Sequence, residues 1–280
     1  MPRSVLPLSQ FPRDSVLDFF RAGHLSFQHL DWLSPVERVN QPFGSALINN
    51  SEILAALSTA PEQPLVSWIR FFISLRDGLH AAYFHALLEA SLEALHDGGF
   101  SKLYALGSQA WMNRLLEENR FTTTEQVVTL QIQPHLARQN RIPAGIGILP
   151  IQEADLPAIL KIDRFAFSTE WQMDAVSLQK CWALSPFASK AIVDGRILGY
   201  LLTTSTLGSA HLARFAVSPE SQNRGIGTAL LQDLMQSCQT AGIVDLTVNT
   251  QKSNSHSIHV YEKAGFSLQP GELPVYCLPF

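Results

Sequence analysis

The stretch "QNRGIGTALL", Gln222 to Leu231, places two glycines one residue apart, after an arginine and before a helix-like apolar run. The first turn of a helix carries N–H groups without intrahelical acceptors, and the helix dipole adds partial positive charge there. Glycine at 225 and 227 lets an anion approach the backbone. A phosphate, another anion and a plain turn all fit these ten residues, so the flanking sequence has to decide.

Two common phosphate-binding motifs do not match this loop. A P-loop requires GxxxxGK[ST], and no lysine follows Gly227. A dinucleotide fingerprint requires a third glycine, and Leu230 stands at that position. A dinucleotide fingerprint also follows the first strand of a βαβ unit, whereas this loop follows a predicted hairpin and a further strand. A phosphate therefore remains compatible, but neither a nucleoside triphosphate nor a dinucleotide fits well.

The flanking sequence predicts a mixed α/β sheet over residues 147–280. "SKAIVDGRILGYLLTTST" predicts a hairpin with Asp-Gly at its turn, and "AHLARFAVS" predicts the strand that leads into the loop. The helix after the loop has one apolar stripe (Ile226, Leu230, Leu231, Leu234, Met235 and Cys238). Gly242 and Gly265 are predicted helix ends. "IVDLTVN" predicts a buried strand, and "PVYCLPF" can close the sheet. The predicted order is β-α-(α)-β-β-β-α-β-α-β.

The first half of the chain repeats this plan. "SWIRFFIS" resembles "HLARFAVS", "YFHALLEASLEALHDGGFSKLYAL" resembles "GTALLQDLMQSCQTAGIVDLTVN", and "LLEENRF" resembles "VYEKAGF", in the same order and at similar spacing. We interpret the segments as two copies of one fold; the alternative is that any two amphipathic helices look alike. A polar stretch with prolines and glycines marks the boundary. We predict a domain at 1–133, a linker at 134–146 and a second domain at 147–280.

Composition limits the class of protein. With 280 residues, 46% of them hydrophobic, the chain can form a large core and is long enough for two domains. The net charge of −4 argues against a general nucleic-acid or membrane-surface binder. The three cysteines lack CxxC spacing and indicate buried thiols, not a disulfide framework or a zinc site. Without a signal peptide or an apolar run of roughly 18 residues, we expect a soluble, cytoplasmic protein.

Residues 147–280 resemble the GNAT superfamily of acyl-CoA-dependent N-acyltransferases. The resemblance rests on the strand "ARFAV", on "SPESQNRGIGTALL", which matches the family's Q/R-x-x-G-x-G/A loop, and on "VNTQKSNSHSIHVYEKAGF". The first half has the same plan more weakly, as in tandem-domain members. The resemblance implies an α/β fold of two tandem GNAT-like domains, each a twisted mixed sheet flanked by helices. It also implies acetyl-CoA as co-substrate, no metal, and a small-molecule or peptide amine as acceptor, in either a monomer or a homodimer.

The resemblance also implies roles for individual residues. The backbone of Phe215, Ala216 and Val217 would pair with the pantetheine arm where two strands of the sheet splay apart. Asn254 would touch the pantetheine or lie beside it, and Tyr261 would protonate the leaving thiolate. The coenzyme A pyrophosphate would lie against the loop and the first helical turn (Gln222, Arg224, Gly225, Ile226, Gly227 and Thr228).

The implied function is N-acetylation by direct attack of a neutral amine on the acetyl carbonyl. The alternative is a non-catalytic acyl-CoA-binding or scaffold protein of the same fold. The first copy departs from the pattern, with Leu79 and His80 in its loop and Leu116 where Tyr261 aligns. We therefore predict that it is degenerate and does not bind coenzyme A in the usual way.

Several side chains also have structural readings. Tyr261 can simply pack its ring under the sheet. Some relatives place a glutamate on the strand before the asparagine, but this chain has "LTVNTQ" there and no acid. His211, Glu170 and a water chain are the candidates for the general base, with water as the default. His256 and His259 fit a solvated helix face better than a metal site, and Trp171 fits a substrate loop or a core equally well.

Overall fold

The computed structural model describes residues 4–29, 32–50, 52–63, 65–138 and 142–280. The first half contains β1 (Ser4–Pro7), α1 (Arg13–Ala22), β2 (Leu25–Gln28), α2 (Pro35–Arg38), β3 (Gly44–Asn49), β4 (Glu52–Gln63), β5 (Val66–Ser74), α3 (His80–Asp97), β6 (Lys102–Leu106), α4 (Ala110–Glu118) and β7 (Thr122–Ile132). The second half contains β8 (Gly147–Pro150), α5 (Leu156–Ala166), α6 (Ala175–Leu184), β9 (Ala188–Val193), β10 (Arg196–Thr206), β11 (Ser209–Val217), α7 (Ile226–Thr240), β12 (Asp245–Gln251), α8 (Ser255–Ala264) and β13 (Ser267–Pro279). The predicted element order of the second half is confirmed.

The chain forms two compact units. The first comprises residues 1–124 and 273–280, and the second comprises residues 125–272. In the first unit the strands follow the order β1-β3-β4-β5-β6, with the end of β13 beside β6. Helices α3 and α4 cover this sheet with a core that includes Leu57, Phe72, Phe84, Leu87, Leu103 and Leu116.

The second unit has the strand order β7-β12-β11-β10-β9-β8. Only β11 and β12 are parallel, and the other neighbouring pairs are antiparallel, so the sheet is mixed as predicted. The predicted apolar stripe of α7 is buried against the sheet in full (Ile226, Leu230, Leu231, Leu234, Met235 and Cys238). The hairpin prediction is also confirmed, because Asp194 and Gly195 both have positive φ between β9 and β10.

Two strands belong to units other than the sequence analysis implied. Residues 125–132 of β7 lie in the second unit, where Leu130 pairs with Val248 of β12. The end of β13 lies in the first unit, where Tyr276 pairs with Ala105 of β6. The prediction that "PVYCLPF" closes the sheet of the second copy was therefore wrong. Both segments are short apolar strands, and their local pattern does not specify which sheet edge they join.

The predicted linker is only partly described, because residues 139–141 lie outside the described residues. Its first residues, Pro134–Leu136, form a 3-10 turn, and the Gln239 side chain donates a hydrogen bond of 2.7 Å to the Pro134 carbonyl. This part of the linker therefore packs against α7. None of the helices in the described ranges has the length and apolar character needed to span a bilayer.

Candidate active site

Strands β11 and β12 run side by side and then diverge. Their parallel ladder extends from Ser209 opposite Asp245 to Leu212 opposite Val248, whereas β11 continues to Val217. A β-bulge lies at the same point, because Leu202 of β10 pairs with Arg214 and the next residue of β10 pairs with Leu212. A bulge bends the strand that carries it. Among the described residues, no strand covers the edge of β11 beyond Leu212.

The free edge of β11 presents backbone groups that no described strand pairs with. Ser218 N donates to Leu198 O at 2.8 Å, and hydrogen bonds in an antiparallel ladder involve alternate residues. Ala216 therefore directs its N–H and C=O toward β10, whereas Phe215 and Val217 direct theirs toward the free edge. Gln222 Nε2 donates to Val217 O at 3.4 Å, which agrees with this orientation. Of the three predicted backbone contacts, the geometry favours Phe215 and Val217 and disfavours Ala216.

Helix α7 begins at the glycine loop with free N–H groups. Gly225 is the N-cap residue at a φ of 80°, and in the described structure no side chain caps this helix. The first helical hydrogen bond is donated by Ala229 N to Gly225 O at 3.0 Å. The N–H groups of Ile226, Gly227 and Thr228 thus precede it and are available to an anion. The Ile226 side chain lies in the core, so only its backbone can take part, while Gln222 and Arg224 are exposed.

The two glycines of the loop face protein atoms. A Cβ at Gly225 would lie 2.7 Å from Pro143 Cδ, and a Cβ at Gly227 would lie 3.1 Å from Phe215 Cζ. From the sequence, these glycines were expected to leave room for the anion itself. Instead, they let Pro143 and the Phe215 ring pack directly against the loop, so a larger side chain at either position would first meet protein atoms.

Tyr261 lies next to the free edge of β11. Its ring centroid is 6.0 Å from that of Phe215 and 5.5 Å from that of Phe266, and the residue is 4% exposed. Burial raises the pKa of its phenol above the ordinary value of 10. The hydroxyl therefore keeps its proton at neutral pH. It forms no hydrogen bond with the described residues, so it is free to donate to a ligand.

Asn254 has a structural role at the start of α8. Its Oδ1 accepts a hydrogen bond of 3.1 Å from Ser257 N, which makes it the N-cap. This contact explains an asparagine seven residues before Tyr261 without any ligand. The predicted contact between Asn254 and pantetheine stays a prediction.

The candidate bases lie in different surroundings. His211 Nδ1 is 2.8 Å from Thr247 Oγ1, and these two residues form the second-to-last pair of the β11–β12 ladder before the strands diverge. Burial lowers the pKa of His211. Glu170 lies in the 3-10 turn Thr169–Trp171 and accepts a hydrogen bond of 2.7 Å from Ser168 Oγ. Within the described ranges no three His, Cys, Asp or Glu side chains are grouped so that they could hold a metal ion.

Comparison with known proteins places these features in a family. The sequence profile of the Acetyltransferase (GNAT) family matches residues 156–266. The chain is 30% identical over 117 residues to a ribosomal protein bS18-alanine N-acetyltransferase of Salmonella typhimurium. The matched region covers 42% of this chain and 78% of that relative. The chain belongs to the GNAT acetyltransferase family. It is an acetyltransferase with two GNAT-like units in tandem.

Solved structures of similar fold cover the whole chain. A tandem GNAT protein from the clavulanic acid biosynthesis pathway matches 99% of this chain and 98% of its own, with a TM-score of 0.65 and 12% identity. A probable N-acyltransferase from Enterococcus faecalis matches 100% of this chain and 72% of its own, with a TM-score of 0.71 and 11% identity. At these identities the likeness concerns the fold alone.

A buried ion pair that was not predicted from the sequence lies beside the GNAT site. Arg214 donates two hydrogen bonds to the carboxylate of Asp163, at 2.6 and 2.8 Å, and Tyr200 donates a third at 2.5 Å. Arg214 also donates to Trp171 O at 2.6 Å, and Met173 N donates to Asp163 at 2.9 Å. The pair therefore fixes the segment between α5 and α6 to β11. The one signal in the sequence was Asp163, a charged residue directly after Ile162 of the apolar stripe of α5.

In the first GNAT-like unit, the parallel strands β5 and β6 also diverge, but another strand pairs with β5 beyond that point. The parallel ladder of β5 and β6 ends where Trp68 pairs with Tyr104. Beyond it, β2 pairs with β5 from Phe71 to Ser74, along the edge that stays free in β11. The Phe84 ring packs against Phe72 at 5.1 Å in this unit. In the first unit, strand β2 therefore covers the edge of β5 that corresponds to the free edge of β11.

Proposed function

We propose that the protein is an acetyl-CoA-dependent N-acetyltransferase whose second unit transfers the acetyl group to a primary amine. One observation carries this proposal: the free edge of β11 runs into the uncapped N-terminus of α7, with the Tyr261 hydroxyl beside it. An extended arm can pair with the edge, and an anionic group can bind the helix N-terminus.

The chemistry needs little beyond positioning. The neutral amine attacks the acetyl carbonyl carbon, a C–N bond forms, and the C–S bond breaks. Pairing along Phe215 and Val217 holds the thioester in the divergence of the strands. Tyr261 donates its proton to the departing thiolate, because burial keeps the phenol protonated.

We propose that the first unit does not bind acetyl-CoA and is degenerate. Strand β2 covers the edge of β5 that the arm would need. Leu116, buried in α4, accepts the helix-closing bond from Phe121 N, as Tyr261 does from Phe266 N in α8. The position that bears the proposed acid in the second unit is therefore aliphatic in the first.

The names of the relatives suggest which amine acceptor to test first. The Salmonella relative is named for the alanine of ribosomal protein bS18, so a peptide with an N-terminal alanine is the first acceptor to test. Small primary amines form the second arm of the panel. A net charge of −4 does not select between them.

Titration calorimetry combined with thiol release tests this proposal. We expect about one acetyl-CoA per chain and coenzyme A release that depends on an added amine. A stoichiometry of two would contradict the role of β2 in the first unit. Tight binding without thiol release, over the whole panel, would favour the non-catalytic acyl-CoA-binding alternative.

A further inference from the structure

The two faces of the second sheet differ where β11 and β12 diverge. One face carries the apolar core under α7 and α8, with Leu212 and Val248 at the end of the ladder. The opposite face carries a polar row across β11, β12 and β7. In it Thr129 donates to Asn249 at 2.9 Å and Gln131 donates to Asp245 at 2.8 Å. His211 and Thr247, paired across the ladder, lie in this row one residue before the divergence.

We propose that His211 is the catalytic base that takes the proton from the attacking amine, and that Thr247 positions it. This inference rests on the proposed function. An arm that enters along the free edge from the α7 side ends at the divergence, next to this pair. The amine then approaches from the polar face, where the imidazole of His211, one residue before the last pair of the β11–β12 ladder, is in reach.

The proton balance closes within the site. As the amine nitrogen bonds to the acetyl carbon, its N–H proton moves to Nε2 of His211. As the C–S bond breaks, the thiolate takes the proton of Tyr261. The imidazolium then releases its proton to solvent, and Tyr261 regains one from solvent. The products are an N-acetyl amine and coenzyme A thiol.

The contact with Thr247 admits the tautomer that this step requires. In the tautomer whose Nδ1–H donates to Thr247 Oγ1, 2.8 Å away, the lone pair lies on Nε2. The charged and polar groups on the same face include Thr204 of β10, Asp245, Thr247 and Asn249 of β12, Thr129 and Gln131 of β7, and the Asp163–Arg214 pair. The carboxylates of Asp163 and Asp245 are engaged by Arg214 and Gln131. Burial therefore dominates and lowers the pKa of His211, which keeps the imidazole neutral at pH 7.

The first test is His211→Ala with the amine acceptor on which the wild-type protein is active. We expect kcat to fall by roughly 10²-fold, as is typical for loss of a general base, with acetyl-CoA affinity within about threefold of wild type. Added imidazole should restore part of the rate in the variant and leave the wild type unchanged. A variant that keeps kcat within about threefold would overturn the assignment, and so would a slow variant that imidazole does not accelerate.

A second pair of variants keeps the test valid where His211→Ala does not fold. Thr247→Val removes the hydroxyl and should lower kcat by about tenfold, because one hydrogen bond is worth about that factor. Thr247→Ser retains the hydroxyl and should stay near the wild type. Equal rates for the two variants would overturn the role of Thr247. Absence of turnover in the wild type on every acceptor would instead contradict the proposed function itself.

Discussion

At the scale of one residue, the packing role of Tyr261 and its proposed catalytic role can be tested separately. Its ring contacts Phe215 and Phe266, while its hydroxyl forms no hydrogen bond with the described residues. Tyr261→Phe keeps the ring and should lower kcat by roughly 10²-fold, because the proton donor for sulfur is lost. Acetyl-CoA affinity should hardly change, since the edge of β11 and the start of α7 remain. Steady-state kinetics and calorimetry measure the two quantities.

The matched control for this variant lies in the first unit. The Tyr276 hydroxyl donates to Glu117 at 2.7 Å, so Tyr276→Phe also removes one phenol hydroxyl from a buried ring. We expect kcat to be unchanged there. Equal kcat for Tyr261→Phe and wild type would leave Tyr261 with a packing role alone.

Also at the scale of one residue, we expect the Asp163–Arg214 ion pair to contribute to the stability of the fold. Asp163 is fully buried and the Arg214 side chain is 12% exposed. Asp163→Asn leaves the guanidinium buried without its counter-charge, which should cost roughly 3–5 kcal/mol of unfolding free energy. Urea unfolding followed by tryptophan fluorescence measures the change. Glu272→Gln removes an exposed partner of Lys252 and should cost under about 1 kcal/mol; comparable losses in both variants would refute the argument.

At the scale of an element, the loop before α7 depends on Gly225. Gly225→Ala introduces left-handed strain of about 1–2 kcal/mol and forces a Cβ against Pro143. The loop has to shift, so the N–H groups of the first turn move and acetyl-CoA affinity should fall by about tenfold or more. Calorimetry on the folded variant measures this loss.

Gly208 provides the control for backbone strain without contact. It has a φ of 82°, and a Cβ there would meet nothing within 4 Å. Gly208→Ala should therefore lose similar stability but retain full acetyl-CoA affinity. If both variants bind equally well, the loop tolerates displacement and the helix N-terminus is not the anion site.

At the scale of the whole molecule, the boundaries of the two units indicate which fragment of the chain should fold by itself. A fragment of residues 125–272 keeps β7 beside β12, whereas a fragment of residues 147–280 loses Val128, Leu130 and Ile132 from the core. Each buried side chain contributes roughly 1.5–3 kcal/mol, and a domain is stable by about 5–15 kcal/mol in total. We expect cooperative thermal unfolding from the first fragment and aggregation or no transition from the second. Cooperative unfolding of residues 147–280 would show that the second unit folds without β7.

The sequence alone determined the elements of the second unit and the family. The stripe of α7, the Asp-Gly turn and the glycine loop are local patterns, because side-chain period and backbone preference act over a few residues. The resemblance to the GNAT family brought Phe215, Gly227 and Tyr261 into one predicted site, and the structure places Gly227 and Tyr261 beside the Phe215 ring.

Only the tertiary structure decided how distant segments meet. The exchange of β7 and β13, the place of β2 along β5, the ion pair of Asp163 with Arg214, and the contact of His211 with Thr247 each join residues far apart in the chain. A strand carries the same alternating pattern whichever edge it pairs with, and a polar side chain carries no local mark of its partner. Pairing depends on the packing free energy of the whole unit, which no short window of sequence contains.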